Sequence, residues 1–186
     1  MDKLNVINFK LVVTGPFAAG KTTFIQSVSE IPVVSTETAA SDGSEIKDHT
    51  TVTMDFGKIS VSDEDLLMEL YLFGTPGQAR FDFMWDILSK GMLGYVLLVD
   101  ASRPESWAAA ADIKAKFDRI VDVPMVVAAN RAAGEDIALM RSALEVGPSV
   151  PVIPCEANDK ESVKQILLTL LIAVVEELEN SVKEGI

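Results

Sequence analysis

Phe9-Lys10-Leu11-Val12-Val13-Thr14-Gly15-Pro16-Phe17-Ala18-Ala19-Gly20-Lys21-Thr22 is the stretch whose reading decides the fold. Its first half is a short, β-branched apolar run, the mark of a buried strand, and it stops at Gly15. Its second half fits G-x-x-x-x-G-K-[ST]. From Lys21 to Ser29 the apolar residues Phe24, Ile25 and Val28 then recur at helical spacing. Strand, glycine loop and helix in that order form a cradle for phosphate: backbone N–H groups turn inward, the helix N-terminus adds its positive end, and Lys21 reaches the outer phosphates. The Thr22 hydroxyl is placed to ligate Mg²⁺.

Working outward, strands and helices alternate. Thr51–Ile59 and Leu66–Phe73 read as a β-hairpin with its turn at Ser62-Asp63-Glu64. Gly94–Val99, Met125–Ala129 and Val150–Ile153 read as buried strands, with helices over Ser102–Asp118, Glu135–Leu144 and from about Asp159 onward. In the last helix Val163, Ile166, Leu167, Leu170, Leu171, Val174 and Leu178 follow i, i+3, i+4 spacing. This order predicts a mainly parallel sheet covered on both faces. Residues 31–50 show no sustained period and predict a long loop, of the kind that is usually functional or mobile.

The 186 residues predict one domain, with 48% hydrophobic residues sufficient for a real core. Sixteen basic against 28 acidic residues leave a net charge of −12, which excludes a nonspecific electrostatic grip on nucleic acid or anionic lipid. One cysteine, Cys155, forms no internal disulfide and builds no cysteine-rich zinc site, and it reads as a small buried residue of a cytoplasmic protein. The apolar run Ile166–Val175 is too short to span a membrane, and neither terminus carries a lipidation motif, so no direct membrane anchor is expected.

Beyond the glycine loop, Thr51-Val52-Thr53-Met54-Asp55-Phe56 and Leu72-Phe73-Gly74-Thr75-Pro76-Gly77-Gln78 resemble the two switch regions of Ras-like small GTPases. The Thr-Pro-Gly-Gln variant is similar to the bacterial and archaeal MglA-type branch. The resemblance covers about residues 8–180. It implies an α/β P-loop NTPase fold: a mainly parallel six-stranded sheet with one antiparallel hairpin strand, helices on both faces, and a single G-like domain over 1–186. Switch I would span about 31–51 and switch II about 74–88. It implies a molecular switch that binds GTP or GDP with Mg²⁺, hydrolyses GTP slowly, and meets a protein regulator or effector of Roadblock type. Gly15, Phe17, Ala18, Ala19, Gly20, Lys21, Thr22 and Thr23 would surround the phosphates. Thr22 and Thr51, or Thr50 one position earlier, would hold Mg²⁺. Gly77 would donate its N–H to the γ phosphate, and Gln78, with Lys21, would carry catalysis by orienting water. Asn130, Arg131, Glu156, Ala157 and Asn158 would line the base, with the Ala157 N–H directed at the guanine O6.

Three departures from that pattern matter. The aspartate of D-x-x-G is replaced by Gly74, removing the usual carboxylate support for Mg²⁺; Asp55 either supplies it through water or is a solvated hairpin charge. The guanine signature N-K-x-D reads Asn130-Arg131-Ala132-Ala133, without the carboxylate that reads N1 and N2, and Asp136 either folds back to the base or caps its own helix. Phe17 stands where the family often has glycine, and its ring would either crowd the γ phosphate side or exclude an arginine supplied by a partner, so slow hydrolysis is expected. Arg80 either acts in cis or forms a surface ion pair, and His49 is expected to be solvated. The aromatic cluster Phe81, Phe83 and Trp85 either serves an effector or packs in the core. Two other readings stay open: a nucleotide-binding interaction module that barely hydrolyses, and an ATPase with relaxed base specificity.

Overall fold

The computed structural model describes residues 5–34, 54–63, 66–76, 83–132 and 137–183. Along the chain run β1 (Asn5–Thr14), α1 (Lys21–Val28), β2 (Asp55–Asp63), β3 (Leu66–Gly74), α2 (Phe83–Leu88), β4 (Gly94–Asp100), α3 (Trp107–Ile120), β5 (Met125–Asn130), α4 (Ile137–Ala143), β6 (Val152–Cys155) and α5 (Lys160–Lys183). A 3₁₀ turn, Pro104–Ser106, leads into α3, with proline at a position where its missing N–H costs nothing.

The six strands form one sheet in the order β2-β3-β1-β4-β5-β6. All neighbours are parallel except β2 and β3, which pair antiparallel from Asp55↔Gly74 to Asp63↔Leu66. The expected fold is therefore present, with shifted ends: α3 begins at Trp107 and not Ser102, β6 runs Val152–Cys155 and not Val150–Ile153, and β2 continues through Ser62 and Asp63, which had been assigned to the turn. Their cross-strand pairing with Leu67 and Leu66 outweighs the turn preference of their side chains.

Period-two alternation sorts the strand side chains between two cores. Val96 and Leu98 of β4, with Leu11 and Val13 of β1 and Leu70 and Leu72 of β3, face α1 and α5, where they meet Phe24, Ile25, Val163, Ile166 and Leu170. Tyr95, Leu97 and Val99 face the other way, against Trp85, Trp107, Phe117 and Met140 of α2, α3 and α4. Strand β4 is buried at every position because helices cover both of its faces. The chain leaves β1 toward β3 on one side while β4 lies on the other, so the crevice of this sheet opens at the C-terminal end of β1, where Gly15 follows.

Among the described residues no helix is long and apolar enough to cross a membrane. Trp85 is buried and its ring tilts against Phe117 at 5.7 Å, so this member of the aromatic cluster belongs to the core. Phe81 and the side chain of Phe83 lie outside the described residues.

Candidate functional site

At the end of β1 the backbone turns sharply. Gly15 has φ +148°, and a Cβ there would stand 2.1 Å from the carbonyl oxygen of Leu98, so only glycine lets the loop pass this close to β4. Ala18 adopts φ +63°, a left-handed conformation that costs an alanine about 1 kcal/mol or more. The strain lies in the segment that would wrap the phosphates. Phe17, one residue earlier, is 70% exposed: its ring stands out from the loop instead of folding into it.

Lys21 opens α1 and is 8% exposed. Its Nζ donates to the carbonyls of Gly15 and Pro16, each at 2.8 Å, which holds the ammonium inside the loop. Burial pushes its pKa down to about 8, against the opposing pull of the Asp55 carboxylate. A buried cation near the edge of its charged range gains strongly from an arriving anion.

The structure decides the environment of Asp55, left open by sequence. It is 7% exposed, hence no solvated hairpin charge, and its Oδ2 accepts a 2.7 Å hydrogen bond from the Thr22 hydroxyl. Its Oδ1 is buried without a partner. Asp55 sits directly across the ladder from Gly74, the position that lacks the expected aspartate. A Cβ on Gly74 would lie 3.0 Å from the Asp55 Cβ and 3.2 Å from its Oδ2. The carboxylate has thus moved one strand sideways, and the glycine makes room for it. Beside them, Thr75 bonds back to β1 through its N–H to the Val13 carbonyl at 2.9 Å and its hydroxyl to that of Thr14 at 2.9 Å, tying the end of β3 to the loop.

On the far side of the loop Asn130, at the end of β5, is 2% exposed and uses its amide twice: Nδ2 donates to the Ala19 carbonyl at 2.9 Å, and Oδ1 accepts from the Ala157 N–H at 3.0 Å. It clamps the phosphate loop to the loop before α5. The Ala157 N–H, expected to point at a base, is thereby engaged by Asn130. Arg131, at φ +59°, lays its guanidinium on the Asp100 carboxylate, whose other oxygen accepts from the Ser102 N–H and hydroxyl. Glu156 and Asn158 are exposed near this clamp, and Thr23 is exposed in the first turn of α1. Cys155 is buried, and burial pushes its thiol up to about 11. Thr50, Thr51, Gly77, Gln78, Arg80, His49 and Asp136 lie outside the described residues. No group of three or more His, Cys, Asp or Glu side chains poised for a metal occurs among the described residues.

Asp55 was thus one of two open readings of the sequence, and Asp100 was absent from the expected site residues. Asp55 had a visible signal, an acid at the head of an alternating strand opposite a glycine in place of aspartate. Asp100 had only its position at the end of an apolar strand.

Comparison with known proteins agrees with this geometry. Residues 33–140, more than half of the chain, match the family described as conserved hypothetical ATP binding protein. That match includes Asp55, Asp100, Asn130 and Arg131, and lies after the glycine loop and before Ala157. An uncharacterized protein of Methanocaldococcus jannaschii is 34% identical over 95 residues, which cover 50% of this chain and 52% of that protein. The Ras-related protein Rab-3D of Homo sapiens is 28% identical over 104 residues, covering 56% of this chain and 42% of that protein. The chain spans about half, or less, of the length of these curated relatives. With a six-stranded α/β sheet and a glycine loop at the end of β1, the chain belongs to the family of conserved hypothetical ATP binding proteins, among the P-loop nucleotide-binding proteins.

Proposed function

We propose that this protein is a single-domain small GTPase switch, similar to the MglA-type branch, which binds GTP or GDP with Mg²⁺ and hydrolyses GTP slowly. The observation that carries this reading is the Thr22–Asp55 pair beside the buried Lys21. It returns a carboxylate to a site whose sequence has lost one. An orphaned, buried carboxylate oxygen next to the Thr22 hydroxyl is the donor set that suits a hard cation. Thr22 and Asp55 would hold Mg²⁺, with Thr51 joining by resemblance. The ion would supply neutralisation of phosphate charge. Lys21, released from the Gly15 and Pro16 carbonyls, would orient and neutralise the outer phosphates. By resemblance, Gly77 would sense the γ phosphate and Gln78 would orient the attacking water.

Slow hydrolysis follows from Phe17. Its ring is exposed on the loop, and by resemblance it would bar an arginine finger worth about 10³–10⁵ in rate. A protein regulator of Roadblock type is the partner class that the likeness to the MglA branch suggests, and the cytoplasm is the matching compartment.

A second reading, binding of ATP or of either purine, draws support from one feature. The N-R-A-A segment has no carboxylate at residue 133, and the guanidinium of Arg131 is held on Asp100. Competition of a fluorescent GTP analogue by GTP, GDP and ATP, each with and without Mg²⁺, separates the two. Displacement by GTP and GDP at concentrations at least tenfold below ATP is the expected result; equal or stronger displacement by ATP overturns the GTPase assignment in favour of the second reading.

A further inference from the structure

At the end of the sheet opposite the glycine loop, α5 outruns the strands that it covers. A Cβ on Gly94, at the start of β4, would stand 2.9 Å from Leu170 Cδ1 and 3.0 Å from Val174 Cγ2, so glycine lets the helix lie close against the sheet there. Past Val174 every α5 residue is exposed. Thr169, Ile172, Ala173, Glu176, Glu177 and Asn180 follow one another at i, i+3, i+4 spacing, which makes them a single stripe of the helix. That stripe forms one wall of a groove of about 570 Å³. The other wall is the entry to β5, residues 122–125, and to β6, residues 149–151.

The floor of this groove is apolar and its rim is acidic. Val123, Pro124, Met125, Val150 and Pro151 are half-buried, and Ile172 is 52% exposed. The carbonyls of Pro124 and Pro151 accept from the N–H groups of Tyr95 and Val127 inside the sheet, and proline has no N–H of its own, so the floor gives an added strand little to pair with. Asp122, Glu176 and Glu177 are exposed around it, and among the described residues no lysine or arginine lines the groove. Nor do these three carboxylates make an ion pair among the described residues. Lysines of the flanking helices are engaged elsewhere: Lys114 with Asp118 at 2.7 Å, Lys116 over the Trp85 ring, and Lys183 with Glu179 at 3.9 Å. Arg119, three residues before Asp122, forms no ion pair with it.

We propose that this groove docks a short basic segment of a partner protein, with apolar side chains on the floor and lysine or arginine side chains on the carboxylates of Asp122, Glu176 and Glu177. Lysine and arginine meet both features at once, since their methylene stems lie along apolar surface while the charged head stays at the wet rim. Unpaired charges of one sign around a low-dielectric cleft focus its field and draw in ligands of the opposite sign. The same carboxylates repel nucleic acid and anionic lipid. A second copy of this chain, with its net charge of −12, is repelled as well. The groove lies at the N-terminal ends of β5 and β6, whereas Gly15 and Asn130 follow or close the C-terminal ends of β1 and β5. Docking is thus separate from the nucleotide site, and the partner is held whatever nucleotide is bound.

Fluorescence anisotropy of a labelled peptide, Leu-Lys-Lys-Leu-Leu-Lys-Lys-Leu, titrated with the full chain tests this. The expected result is saturable binding with a Kd of about 1–100 μM. The triple variant Asp122→Asn, Glu176→Gln, Glu177→Gln should bind at least tenfold more weakly. A control triple, Glu105→Gln, Asp112→Asn, Glu161→Gln, makes the same change in net charge at exposed positions outside the groove and should change binding less than twofold. Ile172→Ser should weaken binding at least threefold, and a peptide with glycine in place of leucine should bind at least tenfold more weakly. All these positions are exposed, so circular dichroism should stay unchanged. Peptide affinity should be the same within twofold with GDP, with a nonhydrolysable GTP analogue or with neither, so that failure of the nucleotide reading leaves these expectations unaltered. No saturation by about 1 mM, equal losses in the two triples, equal binding of the glycine peptide, or a dimer of the chain that the groove triple dissolves overturns the proposal.

Discussion

Replacing Asp55 by asparagine keeps the volume of the side chain and its reach to Thr22 while removing its charge. In the free protein this carboxylate accepts one hydrogen bond through Oδ2 and leaves Oδ1 buried and unpaired, an arrangement that costs on the order of 1–3 kcal/mol. The Asp55→Asn protein without ligand should thus be as stable as the wild type, within about 1 kcal/mol, or slightly more so. With nucleotide and Mg²⁺ the sign reverses. A hydrogen bond to a charged group is worth about 1.5–3 kcal/mol, so the free Mg²⁺ needed for half-maximal retention of a fluorescent GDP analogue should rise by about 10- to 150-fold. The assay is analogue release at a series of free Mg²⁺ concentrations, beside a thermal melt of the free protein. Moving the carboxylate back across the ladder, in the double variant Asp55→Gly with Gly74→Asp, should recover most of the loss, because the two positions face one another. Gly74→Asp alone should destabilise the fold, since its Cβ would press on the Asp55 side chain at 3.0 Å. An unchanged Mg²⁺ requirement in Asp55→Asn, within twofold, would refute the role given to this residue. A large loss of stability in the free protein would show that its role is structural instead.

Asn130→Ala leaves the Ala19 carbonyl and the Ala157 N–H without partners, and at about 1–2 kcal/mol for each the melting temperature should fall by roughly 4–16 °C. Lys21 makes nucleotide binding pH-dependent. Its pKa of about 8 in the free protein would rise when phosphate arrives, so calorimetry in buffers of different ionisation enthalpy should detect uptake of up to about half a proton at pH 8 and almost none at pH 6.5. In the free protein the same group holds fewer protons than the unfolded chain between about pH 8 and 10.5, so its contribution to stability rises with pH across that window. Equal, negligible uptake at both pH values would contradict the buried setting of Lys21. The Cys155 thiol, pushed up to about 11, should react with a thiol reagent at pH 8 at least about a hundredfold more slowly than free cysteine, and labelling at the free rate would show that the loop before α5 opens.

Much of the architecture was legible in the sequence because it is written in local periods. Two-residue alternation marked the strands, the three-and-four pattern marked α5, and Gly15 to Thr22 placed a phosphate cradle between strand and helix. The ends of elements were less legible: Ser62 and Asp63 have the side chains of a turn, yet cross-strand pairing keeps them in β2. What the tertiary structure alone decided are contacts between residues far apart in the chain. Thr22 meets Asp55 across 33 positions, and Asn130 meets Ala19 across 111. Whether Asp55 is a solvated charge or a buried partner of Thr22 depends on strand register, because a slip of one residue would turn its side chain to the other face of the sheet. Likewise an apolar stripe on α5 reads the same whether buried or bare. Local spacing records which residues share a face; only the packed sheet and its short first helix determine which of those faces are covered.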